Sequence, residues 1–477
     1  TGNFAPFFNR KLFVDLSHNN TLYRCCTSFV NLGVRDRRKV TGKKWEAVEI
    51  FEGDVLKPET LPDAFDGVEV VYYLIHSMAA GQADFEKLDH TAAINVVKAA
   101  NEASVKRIIY LGGLGKRDDG QSKHLRSRHE VADLLRSGNT PLTEFRAAVI
   151  IGSGSTSFEM IHHLVNRLPM MICPRWVYTR TQPIGISDVL RYLIDALDKP
   201  ETIGRTIDIG GPDISTYRDM MLSVARALGL KRFLIQVPVL TPRLSSYWVN
   251  LVTPVPTQVA RPLIEGLRHE TICENDEARD IFQFKPLSLD EAVDRALARV
   301  RNHDIETTWT SATSVSDLAP VDPSHLRTDR REIEVDSSDK RLFSIISSIG
   351  GNNGWYYADW LWKLRGFIDK QLGGVGLRRG RRHPVELEAG EALDFWRVEE
   401  YIPGRKMLLR AEMKVWGQAW LEFEVRPLAE NRARLVQTAR YYPKGLLGLL
   451  YWYTVYPIHA LVFKGMVRRI AELAARR

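Results

Sequence analysis

The chain has 477 residues, of which 44% are hydrophobic and 26% charged, and a formal net charge of +8, values of an ordinary folded protein with room for two or three domains. The modest basic excess favours an anionic ligand or a membrane surface and does not mark a nucleic-acid binder. Four cysteines, Cys25, Cys26, Cys173 and Cys273, show neither metal spacing nor a disulfide framework, which points to a reducing compartment.

Residues 1–33 lack the spaced glycines of a phosphate loop, and Pro6 and Asn19-Asn20 interrupt any periodic reading. From Val34 the pattern is regular. A short strand is expected at 48–51, a turn at Gly53-Asp54-Val55, and a helical stretch at 59–65. The apolar runs 70–75 and 107–111 carry no alternation, as in strands buried on both faces. A helical stretch reaching residue 103 separates them, so the sheet is predicted to be parallel. Ligands of such sheets bind beyond the carboxyl ends of the strands, where His76, Ser77 and Gly112–Gly115 fall.

Beyond residue 151 the pattern predicts a smaller, substrate-side lobe. Its expected elements are a helix at 158–167, a short strand then a helix to 197 capped by Ser187 or Asp188, a strand at 206–209, and a helix at 215–228 capped by Ser215 and stopped by Gly229. Residues 301–330 are polar and aperiodic and read as a linker. Segments 393–401, 407–415, 419–425 and 434–441 largely alternate apolar and polar residues, which predicts an antiparallel sheet with one wet face. Helices are expected at 339–349 and 446–475.

These motifs resemble the atypical short-chain dehydrogenase/reductases of the extended, NmrA-like type, in particular bacterial proteins that fuse such a domain to a C-terminal domain of unknown function. The residues that carry the resemblance are Gly53-Asp54-Val55, Tyr73-Leu74-Ile75-His76-Ser77-Met78, Tyr110–Gly115, His124–Glu130, Pro183–Val189 and Gly354–Trp362. The resemblance implies a Rossmann-type doubly wound α/β domain over 1–300, with 1–33 atypical, a linker at 301–330, and an α+β helix-grip domain over 331–477. It implies NADP or NAD as cofactor and a small, apolar substrate in a cytoplasmic protein. Two departures stand out. If Thr1-Gly2 is the remnant of the family's glycine-rich opening, Ala5 and Phe8 replace its later glycines, and Phe8 would obstruct the pyrophosphate. The superfamily's Tyr-x-x-x-Lys is replaced by His124-Leu125-Arg126-Ser127-Arg128.

Each candidate residue carries two readings. Arg35 is either a 2′-phosphate ligand or part of a solvated basic loop. Asp54 and Val55 contact adenine or form a plain turn. Leu74, His76 and Ser77 line the ligand edge, or Ser77 caps a helix beside a satisfied His. Gly112 and Gly113 admit the nicotinamide or simply turn the chain. His124 is the candidate proton donor and Arg128 the candidate ribose contact; both are otherwise ordinary helix or loop residues. The run 378–382 (Arg-Arg-Gly-Arg-Arg) reads as a solvated loop without base-stacking aromatics. Trp355, Trp360 and Trp362 read as core. Residues 445–463 contain no charge; they are read as the C-terminal helix of the grip fold, with peripheral or integral membrane contact as the alternative.

Overall fold

The computed structural model describes residues 48–75, 85–117, 122–237, 257–302, 326–377 and 385–476, the strands at 12–15 and 30–34, and positions 246, 249, 252, 253, 255, 381 and 383. The chain divides into two compact units, Thr1–Ala312 and Thr313–Arg477.

The first unit is built on a seven-stranded sheet in the order Thr206–Ile209, Leu142–Ala147, Arg107–Gly113, Val70–Tyr73, Leu12–Asp15, Val30–Val34, Val48–Glu52. All neighbours pair in parallel. The missing alternation in its central strands has a simple cause. Val70, Tyr72, Ile109 and Phe145 enter one apolar cluster, while Val71, Tyr73, Ile108 and Tyr110 enter another. Successive side chains point to opposite faces, and both faces are covered. The helix Phe85–Glu102 supplies Ala92, Ala93 and Val96 to the second cluster, and Ile186–Asp195 supplies Val189, Tyr192 and Leu193 to the first.

Three expectations are corrected. The first strand is Leu12–Asp15, seated between Val70–Tyr73 and Val30–Val34. Ala5 and Phe8 therefore precede it in the chain, whereas a phosphate loop follows the first strand. The loop position belongs to residues 16–29, outside the described residues, and that stretch contains no glycine. Neither Ser187 nor Asp188 caps the helix Ile186–Asp195: its N-cap is Gly185, and Asp188 Oδ2 instead accepts from Leu287 N at 2.9 Å. The helix Tyr217–Ala227 is capped by Thr216 rather than Ser215, because Thr216 and Asp219 form a reciprocal capping box, and Ser215 lies in a two-residue strand.

The second unit holds a six-stranded antiparallel sheet in the order Arg327–Val335, Arg432–Pro443, Gly417–Ala429, Lys406–Ala411, Trp396–Ile402, Ala392–Leu393. Its inner face puts Leu409, Leu421, Phe423 and Leu435 into one core with Phe463, Met466 and Ile470 of the helix Gly445–Ala475. The outer face carries a charge ladder, Lys406 with Glu400 and Glu422, and Arg440 with Glu422. Arg327–Val335 is an edge strand that begins inside the stretch read as linker. Its sequence is almost entirely polar, and Glu334 pairs across the strands with Arg432 and Arg434, so no apolar alternation announced it.

Candidate functional site

The sheet of the first unit reverses direction between Leu12–Asp15 and Val70–Tyr73: the chain first winds outward to Val30–Val34 and Val48–Glu52, then crosses back to wind the other way. At such a switch point the loops at the carboxyl ends part and leave a crevice. Arg35 directly follows Val34, and His76 and Ser77 directly follow Ile75; all three lie outside the described residues. Leu74 is half-buried at the end of its strand.

Beyond Val48–Glu52 the turn is rigid. Asp54 Oδ1 accepts from Leu56 N at 3.0 Å, Asp54 N donates to Thr60 Oγ1 at 2.9 Å, and Asn95 Nδ2 donates to the carbonyl of buried Val55 at 2.8 Å. The Asp54 carboxylate is thus held in place by its own turn, with its remaining oxygen uncommitted by these bonds.

Beyond Arg107–Gly113 the chain runs tightly under the helix Lys123–Arg136. A Cβ on Gly113 would lie 3.0 Å from Leu125 Cδ1, and one on Gly115, whose φ is +153°, would lie 2.6 Å from Leu125 Cδ2. These glycines therefore serve helix–strand packing, whatever else approaches them. A Cβ on Gly112 would come 3.1 Å from Glu144 Oε1.

The helix begins at Ser122, whose hydroxyl accepts from Leu125 N. His124 sits half-buried in its first turn. Arg128, one turn on, is buried. Its guanidinium donates through Nη1 to Ile75 O at 3.1 Å and through Nη2 to Leu111 O at 2.7 Å. It clamps the carboxyl ends of two adjacent strands and lies over the Tyr110 ring, 5.1 Å from its centroid. Tyr110, which its apolar run disguised as plain core, donates from its hydroxyl to Arg128 O at 3.0 Å. Burial pushes this phenol well above its ordinary range, so it stays protonated. Two buried carboxylates also escaped the sequence reading: Asp89, which accepts from Ser127 Oγ at 3.2 Å, and Glu144, which accepts from Arg136 Nη2 at 2.8 Å. Each partner sits on a different element from its carboxylate, 38 residues away for Asp89 and eight for Glu144, and no local pattern points to either pairing.

Further along the unit, a cleft of about 340 Å³ is lined mostly by apolar groups, among them Ile151, Ile186, Leu190 and Leu287, with Arg295 and Arg299 at its wall. Among the described residues no cluster of His, Cys, Asp or Glu could hold a metal ion. In the second unit Trp355, Trp362 and Trp396 gather around Phe395, with ring centroids 5.1 to 6.1 Å apart in the neighbouring pairs, and help fill the core; Trp360, expected there too, is instead exposed. Arg381 is half-buried and donates to the carbonyls of Ile349 and His383. The other basic residues of that run lie outside the described residues.

The residues present fit a dinucleotide on the adenosine side, where the Asp54 turn is preformed, and on the nicotinamide side, where the Arg107–Gly113 strand ends. They do not supply a glycine-rich pyrophosphate cradle. Residues 27–146 match the family described as NAD(P)H-binding, and residues 323–466 match a family described as protein of unknown function (DUF2867). A photosystem II assembly factor Ycf39 of Trieres chinensis is 22% identical over 178 residues, 37% of this chain and 54% of that protein, so the match spans about half of its length. The factor of the same name in Guillardia theta is 22% identical over 262 residues, 53% of this chain and 80% of that protein. A solved triphenylmethane reductase of Citrobacter sp., complexed with NADP(H), is 18% identical and covers 60% of this chain and 99% of its own, with a TM-score of 0.49. The N-terminal part of this chain carries an NAD(P)-binding domain.

Proposed function

We propose that the first unit binds NADP in preference to NAD and that the chain is an atypical reductase acting on a small, apolar substrate in the cytoplasm. The observation that supports this reading is the reversal of strand order between Leu12–Asp15 and Val70–Tyr73, because every candidate cofactor residue lies at or just beyond the carboxyl end of a strand beside or near it. Arg35 is assigned to the 2′-phosphate, Asp54 and Val55 to the adenine, Leu74, His76 and Ser77 to the ribose edge, and Gly112 and Gly113 to the nicotinamide. When bound, the cofactor would supply the hydride. His124 is assigned as proton donor and Arg128 as the residue that sets the position of the two strand ends. The apolar lining of the cleft near Ile151 and Ile186 supports an apolar substrate. The second unit is proposed to be a helix-grip domain, in keeping with an antiparallel sheet packed on a long terminal helix.

A non-catalytic dinucleotide sensor is the second reading. It is favoured by the commitment of both Arg128 terminal nitrogens to main-chain carbonyls, together with the missing Tyr-x-x-x-Lys. Titration of the full chain with NADPH and NADH by nucleotide fluorescence tests the binding proposal. NADPH is expected to bind more tightly by about tenfold or more, roughly 1.4 kcal/mol. Absence of saturable binding for both nucleotides would overturn it. Enzyme and sensor then separate on whether bound NADPH is oxidised when small ketones and quinones are added.

A further inference from the structure

The second unit leaves a broad apolar face uncovered. On the helix Asp359–Gln371, Trp360, Leu364, Phe367 and Ile368 share one side and are exposed, Trp360 to 66%. On the helix Gly445–Ala475, Leu446, Leu450, Tyr453 and Leu461 do the same, Leu446 to 81%. The two helices and the turn at 414–416 adjoin. Trp362 and Phe463 rings lie 6.3 Å apart, Trp416 and Tyr451 rings 5.9 Å apart, and Arg365 Nη2 donates to Lys414 O at 2.9 Å. Trp416 itself is exposed. Isolated exposed apolar residues are ordinary, whereas exposed apolar sides on two adjoining helices point to an interaction surface.

We propose that this face docks onto an anionic lipid membrane with both helices lying in the plane of the surface, independently of whether the first unit binds a dinucleotide. Three observations carry it. Trp360, Trp416 and Tyr453 are amphipathic rings of the kind that settle at headgroup level. The exposed cations Lys363, Lys414, Lys444 and Lys464 border the apolar residues and match negative headgroups. A second copy of the chain, docked by the same face, would bring those lysines against one another. The uncharged length of the helix would suffice to cross a bilayer by composition alone. Its other side, however, is seated on the domain: Gly448 lies so close that a Cβ would be 2.4 Å from Trp416 O, and Trp452, Val462 and Phe463 are buried. Only one side is free, as in an interfacial helix.

The test is sedimentation of the full chain with vesicles of phosphatidylcholine alone and of phosphatidylcholine mixed equally with phosphatidylglycerol. Preferential binding to the anionic vesicles, by about tenfold or more and released by high salt, is expected. Lys363→Glu with Lys414→Glu, at exposed positions, should abolish it with the circular dichroism unchanged, and Leu446→Ser with Leu450→Ser should weaken it on both vesicle types. No binding to anionic vesicles, self-association to a dimer in its place, or binding that resists both salt and alkaline washing as a spanning helix would, each overturns the proposal.

Discussion

Arg128 and Tyr110 hold each other at the carboxyl edge of the parallel sheet: the guanidinium lies 5.1 Å from the ring centroid, while the phenol donates at 3.0 Å to the arginine's own carbonyl. The pair fixes the helix Lys123–Arg136 against the strand ends that border the crevice. Arg128→Met would leave the Ile75 and Leu111 carbonyls without their donor. The variant should lose about 2–4 kcal/mol of stability, read as a lower urea midpoint, and Tyr110→Phe should lose only about 1 kcal/mol. Equal, negligible effects would show that the clamp does not hold the edge.

The missing phosphate loop predicts weak affinity. Between Asp15 and Val30 there is no glycine, and glycines are what allow close approach of main-chain N–H groups to a pyrophosphate in this fold. Introducing Leu16→Gly, Asn19→Gly and Leu22→Gly together should tighten NADPH binding several-fold. Sub-micromolar affinity in the unmodified chain would sink this account.

Cofactor choice is assigned to one side chain. Arg35→Ala should weaken NADPH far more than NADH, because only NADPH carries the 2′-phosphate. Equal losses in the two titrations would remove Arg35 from the site.

Acid should loosen the first unit in part through the helix Thr156–Arg167, beside a smaller contribution from His129, whose pKa burial also lowers. Burial, helped by Arg167 and His162, lowers the His163 pKa to about 4, and burial lowers that of His162 as well. An unfolded His titrates near its ordinary value of about 6.5. Between that value and about 4 the unfolded chain binds more protons than the folded one, so stability falls as pH falls through this window. Urea midpoints between pH 7 and pH 4 should decline, and His163→Gln should flatten the decline. An unchanged slope in the variant would assign the acid sensitivity elsewhere.

In the second unit, buried Arg397 donates to both oxygens of Glu412 at 3.1 and 3.0 Å and to Gly390 O at 2.7 Å. Removing one partner of a buried pair strands the other charge. Arg397→Met should therefore cost roughly 3–5 kcal/mol, and adding Glu412→Leu should recover part of it. Additive losses in the urea melts of the two single variants and the double would show that the two groups are not coupled.

The sequence by itself determined the parallel sheet with both faces buried, because strands such as Val70–Tyr73 and Arg107–Gly113 must be apolar on both sides to lie between two helix layers. It also determined the alternating antiparallel sheet near the C-terminus, whose outer face is charged. Where strands carry no apolar pattern, local reading failed. Arg327–Val335 is a strand because Arg432–Pro443 offers it a hydrogen-bonding edge and matching charges; Leu12–Asp15 is apolar but only four residues long, and its central place is set by pairing with Val30–Val34 and Val70–Tyr73. The Arg128 clamp, Asp89 with Ser127, and Glu144 with Arg136 were equally illegible, since each joins groups from separate elements. Periodicity reports which face of an element is buried; which polar group meets which across the fold is decided only when the elements pack.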